Sequence, residues 1–164
     1  MIDTAFLPQS PLFRNLDEEE RVQILIIGQV RSVKAGEVLF REGDPGDGLF
    51  VVMKGSVRIS KQSASGEEAL AVLEPPAFFG EMALIDNAAR AADVIANEDS
   101  ELFFIPLQEL RSVIDAYHKL ALKILYALCE VLAQRLRETN ERYMSVFTIA
   151  QWGGSKLDGP LPIP

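Results

Sequence analysis

Residues Val33–Ile59 read VKAGEVLFREGDPGDGLFVVMKGSVRI, and the punctuation of this stretch decides the fold class. Short apolar runs such as VLF, LFVVM and SVRI are separated by KAGE, EGDPGDG and MKGS, each holding glycine beside charged or small residues. Such runs are too short for helices, and turn signals about every 8–12 residues mark antiparallel strands. The same texture extends from Arg31 to about Ile105, where ALAVLE, ADVIA and ELFFIP supply further strands between SASGEE, EPPA, NAAR and NEDS. Together they predict an antiparallel sandwich or a closed roll.

Outside this region the period changes. DEEERVQILIIG, Asp17–Gly28, has acids at a helix start, Val22, Leu25 and Ile26 at helical spacing and a glycine at the stop; it predicts a short amphipathic helix. After Pro106, LQELRSVID predicts one or two helical turns, and Tyr117 to about Phe147 holds no Pro or Gly and predicts a long helix. Tyr117, Ala121, Ile124, Leu128 and Val131, continuing loosely to Arg135, form an apolar seam that suits a parallel two-helix dimer as well as packing on the roll. The tail from 148 to 164, TIAQWGGSKLDGPLPIP, is expected to leave the helix because glycine and proline crowd it. One domain over residues 1–147, with the roll at about 31–105 and the helix at about 117–147, plus a flexible tail at 148–164, is the expected organisation.

Composition narrows function. With 16 Lys and Arg against 24 Asp and Glu, a net charge of -8 argues against a general nucleic-acid binder. No run of about 18 apolar residues exists, and MIDTAFLPQS has no basic residue ahead of an apolar core, so neither a membrane span nor a secretory signal is expected. A cytoplasmic protein without membrane contact is the expectation. The single cysteine, Cys129, excludes an internal disulfide and is read as a small packing residue. The single histidine, His118, is read as exposed, and no metal-ligand spacing accompanies it. Phosphate-loop, dinucleotide and nucleophile-elbow motifs are absent, and GDPGDG, Gly43–Gly48, lacks the acids of a calcium loop and reads as a turn.

One stretch remains chemically pointed. FFGEMALIDNAARAADV, Phe78–Val94, sets Glu81 and Arg90 among Gly80, Ala83, Ala88, Ala89, Ala91 and Ala92. An ion pair closing a loop accounts for the two charges. So does an anion site, because small residues let backbone N–H groups approach a ligand, and a short helical turn begun near Gly80 points its first N–H groups at one.

The order Phe79-Gly80-Glu81-Met82-Ala83-Leu84, five further residues, then Arg90-Ala91-Ala92, resembles the phosphate-binding cassette of cyclic-nucleotide-binding domains, as in protein kinase A regulatory subunits and the catabolite activator family. The glycine-marked turns of Val33–Ile59 resemble the same family's roll. The likeness covers about Leu16 to Asn140. It implies a mainly β fold, an antiparallel double-stranded β-helix (a jelly-roll-like β-roll) with flanking helices and a long C-terminal helix. It also implies that Arg90 holds the cyclic phosphate, that Glu81 accepts the ribose 2'-hydroxyl, and that N–H groups of Gly80, Glu81, Met82, Ala83, Ala91 and Ala92 line the cradle. Ala91 carries no hydroxyl where cGMP-selecting members often have one, which implies cAMP as ligand with cGMP the alternative. AQRLRETNER, Ala133–Arg142, resembles the helix of catabolite-activator relatives that meets the adenine edge, at Thr139 and Asn140; two solvated positions near a helix end fit as well.

The resemblance implies a non-enzymatic regulatory domain, a homodimer through the C-terminal helix and an unknown effector protein, with no metal. Transcription-factor relatives continue into a helix-turn-helix module where this sequence has its Gly/Pro-rich tail, so no DNA binding is expected of the chain itself. Two alternatives stay open: an interaction protein of this fold that binds no nucleotide, and a regulatory subunit for an enzyme or transporter in another chain.

Overall fold

The computed structural model describes residues 4–64, 66–86 and 88–152. A 3-10 turn, Thr4–Gln9, precedes α1, Glu18–Ile27. Asp17 caps α1: its carboxylate accepts the N–H of Glu20 at 3.0 Å while Glu20 accepts that of Asp17 at 2.9 Å. That reciprocal box satisfies two of the orphan donors every helix start leaves. The expected stripe of Val22, Leu25 and Ile26 is not the buried one. Ile24 is fully buried, and Val22 and Ile26 face solvent. The helix stops at Gly28 for a packing reason, since a Cβ there would sit 2.1 Å from the ring of Phe103.

Eight strands follow: β1 Gln29–Val33, β2 Val38–Phe40, β3 Gly48–Lys54, β4 Val57–Ser63, β5 Gly66–Leu73, β6 Phe78–Phe79, β7 Asp93–Ala96 and β8 Ser100–Pro106. They make two four-stranded antiparallel sheets, ordered β1-β8-β3-β6 and β2-β7-β4-β5. Strands distant in sequence are neighbours in both, which is the rolled topology the turn spacing predicted. Antiparallel register sets Leu102 and Phe104 of β8 opposite Val52 and Phe50 of β3, and these side chains join Val33, Val57, Phe79, Val94 and Ala96 in one core cluster between the sheets. Alternate residues of the same strands, Leu49, Val51, Phe103 and Ile105, are also fully buried. Helices cover that second face: α1 and α3, Leu107–Ala116, both pack on β8, and Phe6 meets Phe103 with centroids 5.0 Å apart. Two covered faces explain why LFVV in β3 reads as an unbroken apolar run. Each such Phe or Leu contributes about 1.5–3 kcal/mol of burial.

Two short helices complete the chain's scaffold with α2, Met82–Asp86, and α3, before α4, His118–Trp152. The segment from Leu128 onward is a unit distinct from residues 1–127. Lys123 of α4 reaches the α1 cap, with Nζ 2.5 Å from Glu20 Oε2 and 3.3 Å from Asp17 Oδ2. Of the seam expected to serve a dimer or to pack on the roll, Ala121, Ile124 and Leu128 are buried and Tyr117 is exposed. Cys129, expected to pack, is exposed. His118 is exposed as expected. Helical structure continues through Trp152, past the expected end at Phe147, because the first breakers come only at Gly153. The rest of the tail, 153–164, lies outside the described residues. No helix among the described residues is long and apolar enough to cross a membrane.

Candidate anion-binding site

Pairing of β6 with β3, Phe79 opposite Phe50, delivers the chain to Gly80 at the rim of the roll. Gly80 has φ +83, a left-handed conformation that costs other residues about 1 kcal/mol. Space forbids a side chain as well: a Cβ would lie 2.6 Å from Arg90 Nη1 and 2.9 Å from the Gly48 carbonyl oxygen. The chain then turns into α2, carrying buried Glu81 and Ala83 and a half-exposed Met82. It returns through Arg90 to Ala91, exposed, and Ala92, buried, before β7. The short helical turn expected near Gly80 is thus present as α2.

Arg90 is the centre of the arrangement. Its side chain is 2% exposed. Nη2 donates to Asp47 Oδ1 at 2.6 Å and to the Gly48 carbonyl at 2.8 Å, and Nη1 donates to the Gly80 carbonyl at 3.2 Å. Cζ lies 4.0 Å from the centroid of Phe40, which itself packs on Phe50 and Phe79 at 6.0 Å. A guanidinium over a ring face gains about 0.5–2 kcal/mol and is held flat. Nε is buried and has no hydrogen-bond partner. A buried charged donor left unpaired costs about 1–3 kcal/mol, so the niche is complete only with a further acceptor.

The backbone at Arg90 is fixed by the loop before β3. Arg90 donates its N–H to the Asp44 carbonyl at 2.8 Å, and its own carbonyl accepts from Gly43 at 2.9 Å. Glu42 N–H donates to Asp93 Oδ1 at 2.7 Å. Gly46 lies against Ala83, with room for no Cβ, since one would come within 2.2 Å of Ala83 Cβ. On the far side Arg111 of α3 donates to the Ala83 carbonyl at 3.1 Å, tying α2 to the helical layer.

Of the residues named from sequence, Gly80, Glu81, Met82, Ala83, Arg90, Ala91 and Ala92 come together in this segment. Thr139 and Asn140 lie on α4 in the unit after Leu128, both exposed, and Thr139 Oγ1 donates to the Arg135 carbonyl at 2.8 Å. Sequence reasoning missed Asp47, Asp93, Phe40 and Arg111. GDPGDG was read as a turn, and its second acid, Asp47, is also a partner of Arg90. The site offers a positive fork, small residues and buried backbone, which suit the recognition of an anion. Among the described residues no group of His, Cys, Asp and Glu is placed to hold a metal ion.

The profile of the cyclic nucleotide-binding domain family matches residues 30–117. Among curated proteins the chain is 37% identical over 132 residues to the cyclic AMP receptor protein of Thermus thermophilus, covering 80% of this chain and 59% of that protein. It is 34% identical over 107 residues to a cAMP-dependent protein kinase regulatory subunit of Mycosarcoma maydis, covering 63% of this chain and 20% of that one. The chain therefore spans a fifth to three fifths of these relatives' lengths. Among solved structures it is similar to the Thermus thermophilus catabolite activator protein, with TM-score 0.71 and 34% identity over 83% of this chain and 62% of that one. It is also similar to the regulatory domain of Toxoplasma gondii PKA solved with cAMP, with TM-score 0.64 and 33% identity over 71% of this chain and 45% of that one. By sequence, by fold and by the segment that surrounds Arg90, this chain belongs to the cyclic nucleotide-binding domain family.

Proposed function

We propose that the chain is a non-enzymatic cyclic nucleotide receptor whose ligand is cAMP, working in the cytoplasm as a ligand-dependent regulatory switch over residues 1–147. The observation that carries this reading is the buried Arg90 guanidinium with Nε lacking an acceptor. Arg90 takes the cyclic phosphate through charge-assisted hydrogen bonds that a lysine reproduces poorly. Glu81 accepts the ribose 2'-hydroxyl, and N–H groups of the Gly80–Met82 turn and of Ala91 and Ala92 complete the cradle. Ala91, without a hydroxyl for a guanine amino group, favours cAMP over cGMP. Thr139 and Asn140 meet the adenine edge. A ligand shifts a two-state equilibrium only by binding one state better, and the state favoured here draws residues 80–92 together around the phosphate. Loss of one partner in a buried charged contact costs about 2–5 kcal/mol. Calorimetry with cAMP on the parent and on Arg90→Lys tests the reading: the variant should bind about thirtyfold more weakly or worse. A parent that takes up no cyclic nucleotide at millimolar ligand favours the interaction-protein alternative instead.

The output runs through a homodimer on α4 and an effector protein. A stripe distinct from the expected seam supports the dimer. Leu122, Leu125, Cys129, Leu132, Leu136, Thr139, Tyr143 and Val146 recur at alternating steps of three and four, the coiled-coil period. Leu122 and Leu136 are 69% and 62% exposed. In a parallel pair the arginines at 135 and 142 face the neutral Ala133, Asn140 and Phe147 row; an antiparallel pair sets arginine against arginine. Sedimentation of the parent and of Leu136→Glu tests this, the expected result being a dimer that the substitution dissociates.

A further inference from the structure

We propose that Asp93 is a positioning residue for Arg90: its buried carboxylate anchors the turn at 41–44, and through that turn it sets how Asp47 and Gly48 hold the guanidinium. The inference rests on the cyclic nucleotide reading for its consequence, but its geometry stands on the ligand-free molecule.

Asp93 opens β7 and is 4% exposed, yet among the described residues no cation pairs with it. Its carboxylate accepts one backbone N–H, that of Glu42, at 2.7 Å across 51 positions of sequence. Burying a carboxylate with so little compensation is costly. A Thr or Val would suit a strand at that place better. What the acid does is close a circuit. Segments 42–47 and 90–93 run side by side with successive rungs: Glu42 N–H on the Asp93 carboxylate, Gly43 N–H on the Arg90 carbonyl, Arg90 N–H on the Asp44 carbonyl, and the Arg90 fork on Asp47. Asp93 fixes where the loop begins and Arg90 where it ends. Asp44 tightens the turn between them by accepting the N–H of Arg41 at 2.8 Å, and Gly46 is wedged against Ala83. With both ends held, Asp47 and the Gly48 carbonyl occupy both donors of Nη2, the Gly80 carbonyl takes a donor of Nη1, and the rigid plane of the guanidinium leaves Nε–H as the donor offered to a further acceptor. A charged group prearranged in this way binds without a reorganisation cost. Asp93 acts on the ligand only through Arg90.

The test has two arms on the whole chain. In ligand-free protein, proton-detected NMR follows the Arg90 Nε–H signal and amide exchange at Glu42 and Gly43. With cAMP, calorimetry gives Kd. Asp93→Ala should broaden the Arg90 signal, speed exchange at both amides and raise Kd about tenfold, the loss expected for one hydrogen bond to a charged acceptor. Asp93→Asn, which keeps the acceptor oxygen, should restore Kd to within about threefold of the parent. Ile24→Val, in α1 and away from the loop, supplies a destabilised control that should leave the signal and Kd unchanged. Where Asp93→Ala does not fold, Asp93→Ser, too short to reach the Glu42 N–H, takes its place. The inference is overturned if removal of the carboxylate leaves the Arg90 signal and Kd at parent values, if it does no more than Ile24→Val, or if Asp93→Asn behaves like Asp93→Ala. A parent that does not bind cAMP sinks the ligand assignment while the NMR arm still decides the role of Asp93.

Discussion

Replacing Gly80 by alanine adds one methyl group to the most crowded point of the site. Two costs can be separated. The backbone at φ +83 charges a Cβ-bearing residue about 1 kcal/mol. The methyl then stands 2.6 Å from Arg90 Nη1 and 2.9 Å from the Gly48 carbonyl oxygen. The carbonyl belongs to β3 and is held in a sheet, so the guanidinium must move. Moving it breaks its bond to the Gly80 carbonyl, about 1.5–3 kcal/mol for a charged donor, and lengthens those to Gly48 and Asp47 without breaking them. The sum is about 3–4 kcal/mol, which lowers Tm by roughly 10 °C in a domain of this size. The same displacement should weaken cAMP binding about a hundredfold. Gly36→Ala is the matched control, with φ +81 and nothing within 4 Å of the added methyl. It should cost the backbone share alone and leave Kd unchanged. Thermal melts and calorimetry on both variants make the comparison; equal Tm losses for the two glycines, or an unaltered Kd for Gly80→Ala, would refute the account of a wedged guanidinium.

Gly28→Ala should lower Tm without touching ligand affinity, since its methyl meets the buried Phe103 ring and overpacking costs about 1–3 kcal/mol; a changed Kd would contradict the separation of the two sites. Stability should hold through neutral pH and decline in acid. The Lys34 ammonium and the Ala35 N–H hold the Asp99 carboxyl below its ordinary range, and the Glu20 N–H, with Lys123, does the same for Asp17. A lowered carboxyl stabilises the fold above its unfolded pKa and loses that contribution as pH falls through the folded value. Asp99→Asn should therefore flatten the acid limb of a Tm–pH curve, and an unchanged limb would count against it. Asp99 and Glu20 raise Lys34 and Lys123 respectively, so their contribution is complete below the ordinary lysine range and fades only at strongly alkaline pH, as a melt series there should record.

The roll was legible because its turns are chemically loud. Gly, Asp and Ser clusters interrupt runs that alternate or stay apolar, and the structure breaks strands where they fall. The strand Phe78–Phe79 went unseen because two residues carry no period. Helix faces were harder. Val22 and Ile26 share the spacing of a buried stripe, but Ile24, two residues from each, stands on the opposite side of the helix, and composition does not say which side meets the sheet. In α4 two apolar rows run side by side, about 100° apart around the helix: Ala121, Ile124 and Leu128 of the row read from sequence are buried, and Leu122, Leu125 and Leu136 of the other are exposed. At the site, Arg90 and its small neighbours announced themselves by type and spacing. Asp47 and Phe40 did not, because each reaches Arg90 from a distant stretch and only the rolled topology makes them neighbours; Asp93 stood close by in sequence, but its partner, the Glu42 N–H, lies 51 positions away.

The acid that holds Arg90 stands largely in water. Asp47 is 63% exposed while its partner is 2% exposed, so solvent screens its charge, and an anion arriving at the Nε edge meets little repulsion from it. An anion held at Nε would then add to the pair and not displace it, so its capture includes no step for expelling Asp47.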